Sequence, residues 1–256
     1  MNKQSLNAQQ FRSLHSAHTP LVLFNAWDAG SARAIAAAGA AAIATGSWSV
    51  AAAHGVNDGE ALSFDLVCAN AARIAAAVAL PVSIDLERGY GADPDSVGRS
   101  IAAIIQAGAV GCNIEDGMAE AGALRDVDDQ VARLRAARAA ANAVLPDFFL
   151  NVRTDLFLSS DPATHAGLLE TAIARAEAYR EAGADGLFVP GLADEDLIGR
   201  LVAATALPVN IMVMDTTPTA ERMAALGVAR ISHGPRPYLA VMAQIEQAAR
   251  EALHPA

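Results

Sequence analysis

The chain has 256 residues, enough to bury a large core in one big domain or two small ones. With 53% hydrophobic and 18% charged residues it is globular and not disordered. A formal net charge of -10 argues against nucleic acid and anionic membrane surfaces as partners, because both demand basic patches.

The first residues, Met1 to Leu6, contain no apolar run of the kind a secretory signal needs, so a cytoplasmic protein is expected. Residues 5–15 are predicted as a helix. From there the sequence alternates between short apolar runs and alanine-rich stretches of helical spacing. The predicted strands are 21–25, 41–45, 82–85, 112–115, 148–153, 186–189, 209–212 and 229–232. Helices are predicted between them, for example over 63–78, 95–107, 126–144, 162–182 and 219–226, with a last one over 237–253. Gly-Ala or Leu-Pro pairs stop many of them just before the next strand, as at Gly39-Ala40, Leu80-Pro81, Gly108-Ala109, Gly183-Ala184 and Leu207-Pro208. Ala-rich runs such as 34–44 are too short and too interrupted for a membrane span. Cys68 and Cys112 have no CxxC spacing and read as buried thiols.

Eight β/α units in this length predict a single-domain (β/α)8 TIM barrel over residues 1–256, with the first helix capping its bottom. A doubly wound open sheet is the rival, but no GxGxxG follows the first strand, so the dinucleotide reading falls away. In a barrel the strand C-termini face the active site, and polar residues collect there. Asn25, Trp27 and Asp28 follow the first strand, and Thr45, Gly46 and Ser47 the second. Asp85 and Glu87 follow the third, Glu115 and Asp116 the fourth, Arg153 and Asp155 the fifth. Asn210 lies on the seventh strand, and His233 follows the eighth.

Carboxylates gathered at strand ends cost desolvation unless something positive meets them. The only lysine is Lys3, near the N-terminus, so a divalent cation is the candidate, and the same scarcity excludes a Schiff-base aldolase. Hard oxygen donors suit Mg²⁺ or Mn²⁺. Trp27 and Trp48 read equally as packing aromatics or pocket walls, and His54 and His233 as local hydrogen-bonding residues, His233 with a place at the mouth.

The run Asp85-Leu86-Glu87-Arg88-Gly89-Tyr90-Gly91 resembles the D-x-[DE]-x-G-Y-G segment of the isocitrate lyase / phosphoenolpyruvate mutase superfamily. Asn113-Ile114-Glu115-Asp116 and Val152-Arg153-Thr154-Asp155 are similar to further motifs of that family. So are Thr45-Gly46-Ser47, in ungapped register with Gly55-Val56-Asn57-Asp58, and Pro208-Val209-Asn210-Ile211. The resemblance spans nearly the whole chain. It implies a Mg²⁺-dependent barrel that binds a small 2-oxo acid, with Asp85 as direct metal ligand and Glu87 and Glu115 acting mainly through metal-bound water. Asp58 would lie beside the site, and Arg153 would stabilise the oxygen that becomes an enolate. Thr45, Gly46 and Ser47 would hold the substrate carboxylate; Trp27, Asn210 and His233 are further substrate-binding candidates. Homo-oligomers, tetrameric or dimeric, with exchanged terminal helices are also implied.

The departures narrow the chemistry. The lyases of this family carry K-[KR]-C-G-H in the loop after the fourth strand, whereas 117–125 here has no Cys, Lys or His, only Glu120 and Arg125 as charged residues. The sixth-strand end reads Val189-Pro190-Gly191, where other members carry a His or a Glu. The expectation is therefore a lyase acting on a small 2-oxo or 2-hydroxy (di)carboxylate through a metal-stabilised enolate, by oxaloacetate-type decarboxylation or by C–C cleavage releasing pyruvate. A C–P bond enzyme with Asp58 as nucleophile is the first alternative, and a metal-dependent 2-oxo acid binder with little catalysis the second.

Overall fold

The computed structural model describes residues 2–119 and 122–254. Eight parallel strands form one sheet in the order β1-β8-β7-β6-β5-β4-β3-β2. They are β1 (Leu21–Leu23), β2 (Ile43–Ala44), β3 (Val82–Asp85), β4 (Gly111–Glu115), β5 (Phe149–Arg153), β6 (Gly186–Phe188), β7 (Val209–Met212) and β8 (Arg230–Ser232). The seam between β1 and β2 is joined by a parallel bridge from Ala26 to Thr45 and by the Ala26 N–H donating to Ala44 O at 2.8 Å. Eight strands, each followed by helix, make an α/β TIM barrel, as the alternation predicted.

The helices are α1 (Lys3–Ser13), α2 (Ala29–Ala37), α3 (Ser47–Ala53), α4 (Phe64–Ala77), α5 (Pro94–Gln106), α6 (Val127–Val144), α7 (His165–Glu181), α8 (Glu195–Ala204), α9 (Ala220–Ala225) and α10 (Arg236–Leu253). Several start where an acid accepts from the first turn: Asp28 from Ser31 N, Asp93 from Ser96 N, Asp194 from Leu197 N. Their alanine-rich inner faces let helices lie close to the sheet; Ala137, Ala141, Ala172 and Ala176 are all fully buried.

At the barrel bottom α1 is anchored by Phe11, which meets Phe149 edge to face at 5.7 Å, and by Gln4, whose Nε2 donates to the carbonyls of Ile105 and Ala109. His15 stacks on Phe149 at 3.9 Å. Cys112 is buried, whereas Cys68 is only half-buried, and both are free. Among the described residues no helix is long and apolar enough to cross a membrane.

Candidate active site

A cavity of about 210 Å³ opens at the C-terminal ends of the strands. Water in the liquid occupies about 30 Å³, so the space suits a small molecule. Asp85, Asn113 and Arg153 reach it from β3, β4 and β5, with Ser232 from β8. Parallel register explains the grouping: Asp85 is paired with Asn113, and Glu115 with Arg153.

Asp85 is held from two sides. Its N–H donates to Thr45 Oγ1 at 2.8 Å, and its Oδ2 accepts from the Ser47 N–H at 2.9 Å. Its Oδ1 is buried and, among the described residues, has no hydrogen-bond partner. An ionised oxygen left this way costs free energy unless something cationic meets it. Thr45 therefore fixes Asp85 and is not among the residues lining this cavity. The Gly46 and Ser47 N–H groups are likewise already used, by Ala26 O and Asp85. Both residues do line the cavity, so the Ser47 hydroxyl remains available there.

Asp58 lines the cavity from the loop after α3. Partial desolvation and then the Asp85 charge raise its pKa, with the Ser47 hydroxyl opposing. The loop is held by Glu87, which does not line the cavity. The Glu87 carboxylate accepts from the Gly59 N–H at 2.7 Å, from the Glu60 N–H, and from the Tyr90 hydroxyl at 2.6 Å. Burial raises its pKa, and these hydrogen bonds oppose the rise. Glu87 and Tyr90 both adopt left-handed backbone, at φ 49° and 50°, which swings the Glu87 side chain off the cavity axis and towards this loop. Expected to act mainly through metal-bound water, Glu87 holds the Asp58 loop through the Gly59 and Glu60 N–H groups.

Glu115, expected in the same role, also stands outside the cavity lining, because it pairs with Arg153 Nη1 at 3.0 Å. Arg153 Nε donates to Asp155 Oδ1. Burial alone would lower the Arg153 pKa, but Glu115 and Asp155 outweigh it and hold the guanidinium charged. Burial pushes Glu115 upward while Arg153 opposes it. Asp116 is fully buried and structural: it accepts from the Tyr179 hydroxyl at 2.7 Å, Arg175 Nη1 at 3.1 Å and the Asp155 N–H at 2.9 Å.

Three expected substrate contacts lie elsewhere. Trp27 packs edge-on against Tyr238 at 5.2 Å, and it is Trp48 that lines the cavity. His233 uses its backbone N–H on Asn25 Oδ1, with its ring 5.2 Å from Phe24. Asn210 is buried beneath the floor, where its Oδ1 accepts from Ser232 Oγ at 3.1 Å. His54 makes a local contact to Val50 O, as expected. Glu120 lies outside the described residues, and Arg125 pairs with Asp129 at 2.8 Å.

The floor also contains residues that the motif reading passed over. Asn25 ties the seam together, donating to Thr45 O and accepting from the N–H groups of His233 and Gly234. Beneath Asn113, the fully buried Arg230 lies 3.3 Å from Asn113 Oδ1, which also accepts from Asn151 Nδ2 at 2.8 Å. With that oxygen occupied, the Asn113 amide nitrogen is the part left for a ligand. Period two along the fourth strand, counted back from Glu115, already puts Asn113 on the inward face.

Among the described residues, no three His, Cys, Asp or Glu side chains converge closely enough to hold a metal ion by themselves. Mg²⁺ does not require that, since it keeps several waters and takes one or two carboxylates. The unpartnered Asp85 Oδ1, with Asp58 beside it, fits such an ion.

Residues 11–253 match the family model described as phosphoenolpyruvate phosphomutase. A solved structure from Burkholderia cenocepacia J2315, provisionally described as a phosphonomutase, superposes with a TM-score of 0.95 at 51% identity, covering 97% of this chain and 99% of that one. The 2-methylisocitrate lyase of Escherichia coli K12 is 31% identical over 218 residues, 81% of this chain and 71% of its own. An oxaloacetate decarboxylase of Pseudomonas entomophila is 31% identical over 183 residues, 67% of this chain and 58% of its own. The chain belongs to the phosphoenolpyruvate phosphomutase family, within the isocitrate lyase / phosphoenolpyruvate mutase superfamily.

Proposed function

We propose that the protein is a Mg²⁺- or Mn²⁺-dependent lyase that cleaves a carbon–carbon bond in a small 2-oxo or 2-hydroxy carboxylate. The observation that carries this reading is Asp85 Oδ1, a buried carboxylate oxygen without a partner at the edge of a small-molecule cavity. Asp85 would hold the ion directly, with Asp58 nearest and Glu87 and Glu115 supporting from behind. Such an ion, when bound, supplies Lewis-acid polarisation of a chelated 2-oxo acid.

This chain's own residues do the rest. Arg153 keeps donors free beyond those given to Glu115 and Asp155, and these face the negative charge that develops on the keto oxygen as the bond breaks. In a substrate with a 4-hydroxyl, Asp58 takes the hydroxyl proton while the C3–C4 bond pair flows to the keto oxygen. The proton then returns from Asp58 to C3. A raised proton affinity at Asp58 suits both moves. Decarboxylation asks for less, because departing CO₂ requires no base.

The test is 2-oxo acid release with and without Mg²⁺, glyoxylate from isocitrate and pyruvate from oxaloacetate, methylisocitrate, dimethylmalate, 4-hydroxy-2-oxopentanoate and phosphonopyruvate, with Asp85→Ala as control. Metal-dependent release that disappears in the variant supports the reading. Release from phosphonopyruvate alone would replace it with C–P chemistry, and saturable 2-oxo acid binding without turnover would replace it with a binding protein.

We infer further that the working form is a homo-oligomer in which α10 crosses to a second copy. Only Pro237 of α10 is buried, and Leu239, Ile245 and Leu253 are 50%, 55% and 73% exposed. Tyr238, Val241, Met242, Ile245 and Ala249 recur at helical spacing and make an apolar stripe. On the barrel, Val22 and Phe24 face outward at 47% exposure each and border a groove of about 640 Å³ with Leu14, Ile35 and Ala38. A barrel strand is normally covered on that side by a helix, and α10 of another copy has the stripe to do it. Sedimentation would show a dimer or tetramer; a monomer at micromolar concentration overturns this inference.

A further inference from the structure

Asp85, Asp58 and Arg153 are the charged residues lining the cavity, and Trp48, Leu158, Phe188, Pro190, Met212 and Pro235 are its large apolar ones, with Phe188 directly beside Arg153. Among the described residues Arg153 is the only cation lining it, and that guanidinium already faces two carboxylates, Glu115 and Asp155. A divalent ion on Asp85 would balance Asp85 and one chelating substrate carboxylate. A second anionic group on the substrate would then have no counter-charge among the described lining residues, and desolvating an unpaired ion is costly.

The apolar wall is built into the fold. Gly191 has φ +92°, and a Cβ there would lie 2.5 Å from Leu158 N and Phe157 C. Only glycine lets the β6 turn approach the segment after β5 so closely, and that approach sets Leu158 beside Pro190 at the cavity. The segment is further fixed by Ser160 Oγ donating to Leu156 O at 2.8 Å and the Ser159 N–H donating to Asp155 O at 3.0 Å. Leu158 is nonetheless 45% exposed, and Trp48 is 40% exposed. Large apolar side chains held rigidly at a pocket mouth are a surface for apolar matter.

We propose that the substrate is a 2-oxo or 2-hydroxy monocarboxylate whose group beyond C3 is uncharged and apolar, seated against Leu158, Phe188, Pro190 and Met212. Dicarboxylates and phosphonates are selected against by the lack of a second free cation. The proposal rests on the chelated 2-oxo acid reading given above and adds the identity of the distal end.

Titration calorimetry with Mg²⁺ separates the two. Oxalate, the smallest chelating mimic, tests the reading: it binds the native protein and not Asp85→Ala. The series pyruvate, 2-oxobutyrate, 2-oxopentanoate and 4-methyl-2-oxopentanoate tests the distal end, with 2-oxoglutarate and phosphonopyruvate as charged counterparts. Affinity is expected to rise by about fourfold for each methylene buried. Each charged ligand should bind at least about tenfold more weakly than 2-oxopentanoate. In Leu158→Arg, at an exposed position that folding tolerates, that order should reverse. Oxalate binding together with 2-oxoglutarate or phosphonopyruvate binding as tightly as the alkyl series overturns the proposal and leaves the metal site standing. No oxalate binding overturns both.

Discussion

The two sides of this barrel solve the same packing problem differently. Around β3, β4 and β5, most charged groups at the strand ends are answered from within the chain, Asp85 Oδ1 being the exception. Asp116 has Tyr179 and Arg175, Glu87 has Tyr90 and two backbone N–H groups, and Glu115 has Arg153. Arg133, fully buried on α6, reaches the carbonyls of Arg88 and Gly91 and supports the tight Gly-Tyr-Gly turn from below. Around β1 the outward face is half bare, and only Pro237 of the helix that follows β8 is buried. Catalysis needs groups held to fractions of an ångström, so the acid-rich side is self-contained. Where only apolar area must be covered, another copy of the chain can supply it.

Breaking the self-contained side should have the largest effect. Asp116→Ala removes the partner of Arg175 and Tyr179 and should cost about 3–5 kcal/mol in denaturant unfolding; a loss under about 1 kcal/mol would show that this side is not held as described. Asp85→Ala should leave the fold intact and lower turnover by at least about 100-fold, with loss of Mg²⁺ binding by calorimetry. On the other side, Ile245→Arg should shift the sedimentation profile towards monomer while costing the isolated barrel less than about 1 kcal/mol. An unchanged profile would remove α10 from the interface.

A further effect is a pH dependence at the barrel bottom. Burial, with the Arg230 charge adding to it, pushes the His15 imidazole down to about 3, against its carbonyl contact to Phe11. The folded state thus refuses a proton that the unfolded chain accepts near 6.5, so stability present above that pH is lost as pH falls from 6.5 towards 3. His15→Gln should flatten that part of the stability profile, measured by urea unfolding between pH 7 and pH 4. If the slope is unchanged in the variant, the imidazole is not its source.

Strands and helices were legible because apolar runs, alanine-rich spacing and Gly-Ala or Leu-Pro stops all agree with one another. Of the candidate site, Asp85, Asp58, Arg153, Gly46 and Ser47 do come together, since strand ends and the loops beside them converge in any barrel. Direction was harder to read. Glu87 is two residues past Asp85 and would point the same way on an extended strand, but its left-handed backbone turns it to the Asp58 loop. Trp27 and Trp48 are alike in sequence context and both pack edge-on against Tyr238, and only the folded cavity, which Trp48 lines, separates wall from scaffold. Arg230 was invisible as a site residue because its partner Asn113 comes from a strand 117 residues earlier in the chain.

Gly234 and Pro235 line the cavity, and α10 begins at the next residue, Arg236. Whatever seats that helix also sets the tension on one wall of the pocket. If α10 seats on a second copy as proposed, turnover per subunit should depend on how much protein is in the tube: dilution should slow it, and restoring the concentration should bring the rate back.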